Sequence, residues 1–195
     1  ALAILMSPIE ILSKLTKPPH AIDEAKTAEA VGCLRDAVGD IIAVDVDDRK
    51  LELARVFGAT HGINPLRGDA VVSVRGLTGG RGADYVLEAG GREATFRLAV
   101  EAARPGATVV FLGKVNVDKQ VAFRWGSLMG EKRLVRSSYG GARPRQDFPW
   151  LAREYLEGRL KLDELITQRL PLEQINDGFA GMAKGAVVRA VLTLN

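Results

Sequence analysis

Read by its apolar and polar positions, the chain alternates short apolar runs with amphipathic helical stretches from about residue 40 onward. The run DIIAVD at 40–45 is apolar until it ends on an acid. That pattern predicts a strand buried on both faces, as in a parallel sheet. Residues 48–57 place Leu51, Ala54 and Phe57 on one helical face, and Gly58 stops the helix. A short strand is expected over 60–64, ended by Pro65, and a helix over 69–77 with Val71, Val72 and Val74 toward the core. ADYVLE at 83–88 is another buried run, opening into Gly90-Gly91. A helix follows over 92–103, closed by Arg104-Pro105-Gly106. Strands are then expected over 107–112, ended by Gly113, and over 134–139, ended by Gly140-Gly141. Strand–helix alternation with glycines on the strand exits predicts an α/β fold, a doubly wound parallel sheet.

After Gly141 the rhythm changes to a helix (147–156), a strand (165–170), a helix (173–182) and a strand (187–194). Three segments result: an atypical N-terminal stretch (1–39), a sheet domain (40–140) and a C-terminal α+β segment (141–195). In the first, 21–38 is amphipathic through Ile22, Ala25, Val31, Leu34 and Val38, and Lys17-Pro18-Pro19-His20 reads as a linker. No first strand with a glycine turn is evident there.

Composition narrows the classes. Hydrophobic residues are 47% and charged residues 26% of 195, ordinary for a globular protein. The net charge of +3 comes from scattered basic residues without aromatic interleaving, which argues against a nucleic-acid partner. The longest apolar run, residues 1–6, is too short to span a membrane and lacks the flanks of a signal peptide. A single cysteine, Cys33, permits neither a disulfide nor a cysteine-based zinc cage and suits a reducing compartment, so a cytoplasmic location is expected.

The sharpest candidate is Asp45. An acid at the end of a buried strand can accept hydrogen bonds from the ribose hydroxyls of an adenosine, and it would repel the 2′-phosphate of NADP. The alternatives are an acid that only caps the next helix, or the equivalent acid of a methyltransferase. A glycine fingerprint for a pyrophosphate belongs about 20 residues earlier, but between Thr16 and Asp45 the only glycines are Gly32 and Gly39. Gly79-Gly80-Arg81-Gly82 precedes a strand and reads as a loop. His20 and His61 have no carboxylate pair nearby in sequence, and no metal cluster is apparent.

The run IIAVDVDDRKLELARVFGATHGINP (41–65) resembles zinc-dependent alcohol dehydrogenases of the medium-chain dehydrogenase/reductase family. The likeness continues through GGRGADYVLEAGG, ARPGATVVFLGK, RSSYGG and LITQRLPLEQINDGFAGMAKGAVVRAVLTL, and spans residues 40–195. It implies a Rossmann-like NAD-binding portion whose C-terminal tail returns to a catalytic domain not included here. By resemblance, Asp45 and Lys50 hold the adenosine ribose, and Ala89 and Gly90 pass beneath the cofactor. Leu112, Gly113 and Lys114 lie near the nicotinamide, Ser137 and Tyr139 lie beside its ring, and Arg189 reaches a phosphate. No catalytic residue and no metal ligand is expected in the chain, since the family carries its zinc ligands in the other domain. The parent would transfer hydride between NAD and an alcohol or aldehyde on zinc; the fragment alone would be inactive. The competing reading is a non-catalytic nucleotide-binding or interaction module with a degenerate phosphate loop. The alternation of Val121, Phe123 and Trp125, with an edge strand over 134–138, predicts a homodimer through sheet edges.

Overall fold

The computed structural model describes residues 2–5 and 39–194. The readings of 17–20 and 21–38, and of His20 and Cys33, lie outside the described residues. Two compact units emerge, 1–141 and 142–195.

The first unit is built on a six-stranded sheet with every described pairing parallel. Its strands are β1 (Leu2–Leu5), β2 (Ile41–Val44), β3 (His61–Ile63), β4 (Ala83–Glu88), β5 (Ala103–Phe111) and β6 (Arg133–Arg136). The spatial order is β3-β2-β1-β4-β5-β6, the doubly wound arrangement whose direction reverses between β1 and β4. The apolar run at the chain start is therefore the central strand, which the sequence pattern did not reveal. Without a glycine turn behind it, that run carries no sign that separates it from any other apolar stretch.

Three helices follow the strands: α1 (Asp48–Val56), α2 (Ala70–Leu77) and α3 (Glu93–Ala102). Each of the first two starts has a local cause. Asp47 caps α1 by accepting from the Arg49 amide, and Asp69 caps α2 by accepting from the amides of Val71 and Val72. Gly58, at φ +98°, ends the α1 turn as expected. The core lies between the sheet and α2 and α3, with Ile42, Val86, Ala99 and Val109 fully buried and Val74 nearly so.

Several expectations need correction. Val72 is 65% exposed, because only Val74 and Ala70 of α2 point at the core. The Arg104-Pro105-Gly106 turn lies inside β5: the ladder jumps from Ala83 opposite Ala103 to Tyr85 opposite Thr108, so the extra residues bulge out. Residues 121–125 form no strand. Phe123 stacks on Phe111 with ring centroids 6.2 Å apart, and Trp125 opens a 3₁₀ turn, Trp125–Leu128. β6 is shorter than expected, and its four residues are all exposed.

The second unit holds α4 (Pro144–Leu156), β7 (Gln168–Pro171), α5 (Ile175–Ala183) and β8 (Ala190–Thr193), with β7 and β8 parallel. The strand expected from 165 begins later, because Asp163–Leu165 is a 3₁₀ turn. Buried Gly178 lets α5 approach β7 closely: a Cβ there would lie 3.0 Å from Leu170. No helix among the described residues is long and apolar enough to cross a membrane.

Candidate functional site

All strands of the first unit run the same way, so their C-terminal ends share one edge of the sheet. That edge, at the point where strand order reverses, is where open α/β sheets bind ligands. Asp45 stands at the exit of β2 and is 7% exposed. Its amide donates to the Ile63 carbonyl at 3.1 Å, and its Oδ1 accepts from the Asp47 amide at 2.9 Å. Burial pushes its carboxyl above the ordinary carboxylate range, opposed by the Asp47 amide and the Lys50 charge. The helix-capping role belongs to Asp47, two residues on. Lys50, in the first turn of α1, is half-buried.

The segment after Asp45 is braced to the β3 exit. Asn64 Nδ2 donates to the Val46 carbonyl at 3.1 Å and to Asp48 Oδ1 at 3.0 Å, and Arg67 pairs with Asp48.

On the other side of β1 the exits of β4, β5 and β6 converge. The Glu88 carbonyl accepts from the amides of Leu112 (2.6 Å) and Gly113 (3.0 Å), so Ala89 and Gly90 leave β4 beside Leu112, Gly113 and Lys114. Gly91, at φ +64°, packs against Lys114: a Cβ on Gly91 would lie 2.5 Å from the Lys114 carbonyl. A Cβ on Gly113 would overlap the Gly91 amide nitrogen. The Ser137 amide donates to the Phe111 carbonyl at 3.0 Å, which sets β6's exit alongside. Tyr139 begins the 3₁₀ turn Tyr139–Gly141. Leu112 is buried, so core packing is part of its role.

Arg189 belongs to the second unit. It is exposed, on the approach to β8, and its carbonyl accepts from the Thr167 and Gln168 amides. Of the ten predicted positions, Ala89, Gly90, Leu112, Gly113, Lys114 and Ser137 are thus drawn together, and Asp45 and Lys50 stand across β1 on the same edge. The structure adds Glu88, fully buried at the end of β4, which the sequence pattern had not singled out. Its signal was visible: ADYVLE ends on an acid as DIIAVD does.

A carboxylate buried at the exit of β2, on the edge where strand order reverses, fits the ribose of a dinucleotide, while Gly91 and Gly113 let the exits of β4 and β5 meet backbone to backbone. Zinc finds no such fit, since no group of His, Cys, Asp and Glu among the described residues could hold a metal. His61 Nε2 meets Asp40 Oδ1 at 3.2 Å at the opposite edge of the sheet, a polar pair rather than a metal centre.

Strand order and strand-exit chemistry define a Rossmann-type dinucleotide-binding fold. The chain belongs to the zinc-binding dehydrogenase family, whose model matches residues 25–157. It is similar to the alcohol dehydrogenase class-3 of Drosophila melanogaster, 35% identical over 170 residues, which takes in 85% of this chain and 45% of that protein. In fold it resembles the benzyl alcohol dehydrogenase of Acinetobacter calcoaceticus (TM-score 0.81, 24% identity, 100% of this chain and 49% of that one). It likewise resembles a zinc-binding dehydrogenase of Sinorhizobium meliloti solved with NADP (TM-score 0.76, 23% identity, 99% and 52%). The chain spans about half the length of the relatives it matches.

Proposed function

We propose that this chain forms the NAD-binding region of an alcohol dehydrogenase, its parent transferring hydride between NAD and an alcohol or aldehyde. The observation that carries this reading is Asp45, buried at the exit of β2 beside the reversal of strand order. On this reading Asp45 and Lys50 hold the adenosine ribose. Ala89, Gly90, Leu112, Gly113 and Lys114 receive the nicotinamide half, with Ser137 and Tyr139 beside the ring. Arg189 reaches a phosphate. The bound nicotinamide supplies the hydride chemistry; the chain's residues bind and orient it. Zinc, and the groups that hold the substrate, belong to a part of the parent outside residues 1–195, and the isolated chain has no turnover. A reducing cytoplasm is the expected setting, with neither nucleic acid nor membrane as partner.

NAD is preferred over NADP because a buried acid at the ribose would face the 2′-phosphate as a like charge. The test is a fluorescence titration of the chain with NADH and NADPH. Asp45→Gly is expected to weaken NADH binding about tenfold, the scale of a lost hydrogen bond to a charged group, and to leave NADPH no weaker. A wild-type chain that prefers NADPH sinks the assignment.

A second reading, a non-catalytic nucleotide-binding module, is favoured by one observation: residues 16–45 contain no G-x-G-x-x-G. Catalysis by the intact parent decides between the two.

The same region is proposed to form a homodimer. β6 is one of the two edge strands of the sheet, with Leu134 and Val135 exposed and Trp125 and Met129 exposed in the segment before it. An uncovered edge offers backbone donors and acceptors to a second copy. Light scattering at tens of micromolar should give a dimer, and Val135→Asp should shift it toward monomer. A monomeric wild-type chain overturns the pairing.

A further inference from the structure

Glu88 is 0% exposed, yet it carries a carboxyl group at the end of β4, the strand beside β1. Burying such a group is unfavourable unless its oxygens are satisfied. Oε1 accepts from the Gly91 amide (2.8 Å) and from the Thr95 hydroxyl (2.6 Å). Oε2 has no partner among the described residues, and a Cβ on Gly113 would lie 2.6 Å from it. Meanwhile the Glu88 carbonyl holds the Leu112 and Gly113 amides. One residue thus grips both loops: its side chain takes the turn from β4 into α3, and its main chain takes the exit of β5. Above it, Gly91 and Gly113 meet backbone to backbone.

A methionine would fill this volume without the desolvation. A glutamine could keep Oε1 as the acceptor for Gly91 and Thr95 and would put an NH₂ where Oε2 finds no partner. The orphaned Oε2 is therefore a standing free-energy cost that the packing of an apolar core does not require. That cost makes sense if the carboxylate's position matters more than its stability.

We propose that Glu88 is a positioning residue of the dinucleotide site, locking the exits of β4 and β5 into one rigid cradle for the nicotinamide half. This rests on the dinucleotide reading above. Ala89, Gly90, Leu112, Gly113 and Lys114 then move as a body, with the Glu88 side chain fixing the β4 turn through Gly91 and Thr95 and the Glu88 carbonyl holding the Leu112 and Gly113 amides of the β5 exit. Small misplacements of such a cradle cost about one to two orders of magnitude in productive geometry.

The test uses Glu88→Met, which fills the volume but accepts from neither Gly91 nor Thr95, together with Thr95→Val and the double variant in the full chain. Two readouts are taken: amide hydrogen exchange at Gly91, Leu112 and Gly113, and NADH affinity by fluorescence. Thr95→Val leaves Glu88 in place and removes the hydroxyl that donates to Oε1 and accepts from the Arg92 amide, so it guards against a Glu88→Met chain that fails to fold. The expected result is faster exchange in both loops together in each single variant, NADH binding weakened about tenfold or more, and a double variant no worse than the weaker single one. Exchange that quickens at Gly91 alone, or variants that lower only the melting temperature while NADH affinity holds, would overturn the proposal and leave Glu88 a support for the start of α3. If the wild-type chain binds no NADH, the dinucleotide reading fails; the coupled exchange of the two loops then still supports the lock, and uncoupled exchange removes it.

Discussion

The two halves of the edge proposed to bind a dinucleotide are built from different materials. At the exit of β2 the site is made of side chains: Asp45 buried, Asp47 capping, Asn64 and Arg67 bracing Asp48 from the neighbouring strand. At the exits of β4 and β5 it is made of missing side chains, with Gly91 and Gly113 in contact over Glu88. The first half can discriminate by charge, because a carboxylate reads what comes near it. The second can only shape space, because its missing side chains let one loop seat against the other. Selectivity and close approach are thus separated by one strand, β1, a distance of roughly two strand spacings, or about 10 Å.

The comparison predicts unequal tolerance, and the largest effect falls on the glycine half. Gly113→Ala places a methyl on the Gly91 amide nitrogen and 2.6 Å from Glu88 Oε2, with backbone on the facing side that cannot swing away. Overpacking of that kind costs about 1–3 kcal/mol or more. Urea unfolding should show a loss near the top of that range. A loss no greater than that of an exposed substitution would mean the two loops are not in rigid contact.

The charged half should show the reverse behaviour at Asp45. Burial raises its folded carboxyl above the unfolded value, so the folded state binds the proton more tightly. Asp45 therefore favours folding most when protonated. Stability falls as pH rises from the ordinary carboxylate value through the raised one, then levels off. Asp45→Asn keeps an Oδ1 acceptor for the Asp47 amide while removing the charge. The variant should be more stable than wild type at neutral pH and equal to it in acid, measured by melting temperature against pH. An aspartate more stable than the asparagine at pH 7 would show that Lys50 and the local amides outweigh desolvation.

The same contrast governs what was legible in the sequence. Strands β2, β4 and β5 were visible because an apolar run closed by an acid or a glycine is the pattern a buried parallel strand leaves at its exit. β1 was not, since its run lacks that punctuation, and its place was apparent only from its pairing with Ile41–Ala43 on one side and Tyr85–Glu88 on the other. Asp45 could be argued from residues alone. Gly113, Lys114 and Ser137 entered only through resemblance, because a glycine's role depends on what faces it, and what faces Gly113 is Gly91, 22 positions away in the sequence. Glu88 was missed although its run has the same form as that of Asp45. An acid closing a buried run marks a strand exit in both places, and what it does there depends on its tertiary neighbours.

The smallest effects should come from the bracing around Asp48, and they separate charge from hydrogen-bond geometry within the charged half. Arg67 and Asp48 form an ion pair whose side chains are 73% and 49% exposed. Pairs in water are worth about 0–1 kcal/mol and weaken with salt. Asn64, by contrast, donates to the Val46 carbonyl and to Asp48 Oδ1, and its own Oδ1 accepts from the Leu66 amide at 3.0 Å. One residue therefore ties the segment after Asp45 to the turn after β3. Arg67→Ala should lower stability by no more than about 0.5 kcal/mol, and that difference should vanish in high salt. Asn64→Ala should cost about 1–2 kcal/mol, with little dependence on salt, and should loosen the Val46–Asp48 segment as seen by amide exchange. An Arg67→Ala chain as damaged as Asn64→Ala would mean that the ion pair, not the amide, holds the loop behind Asp45.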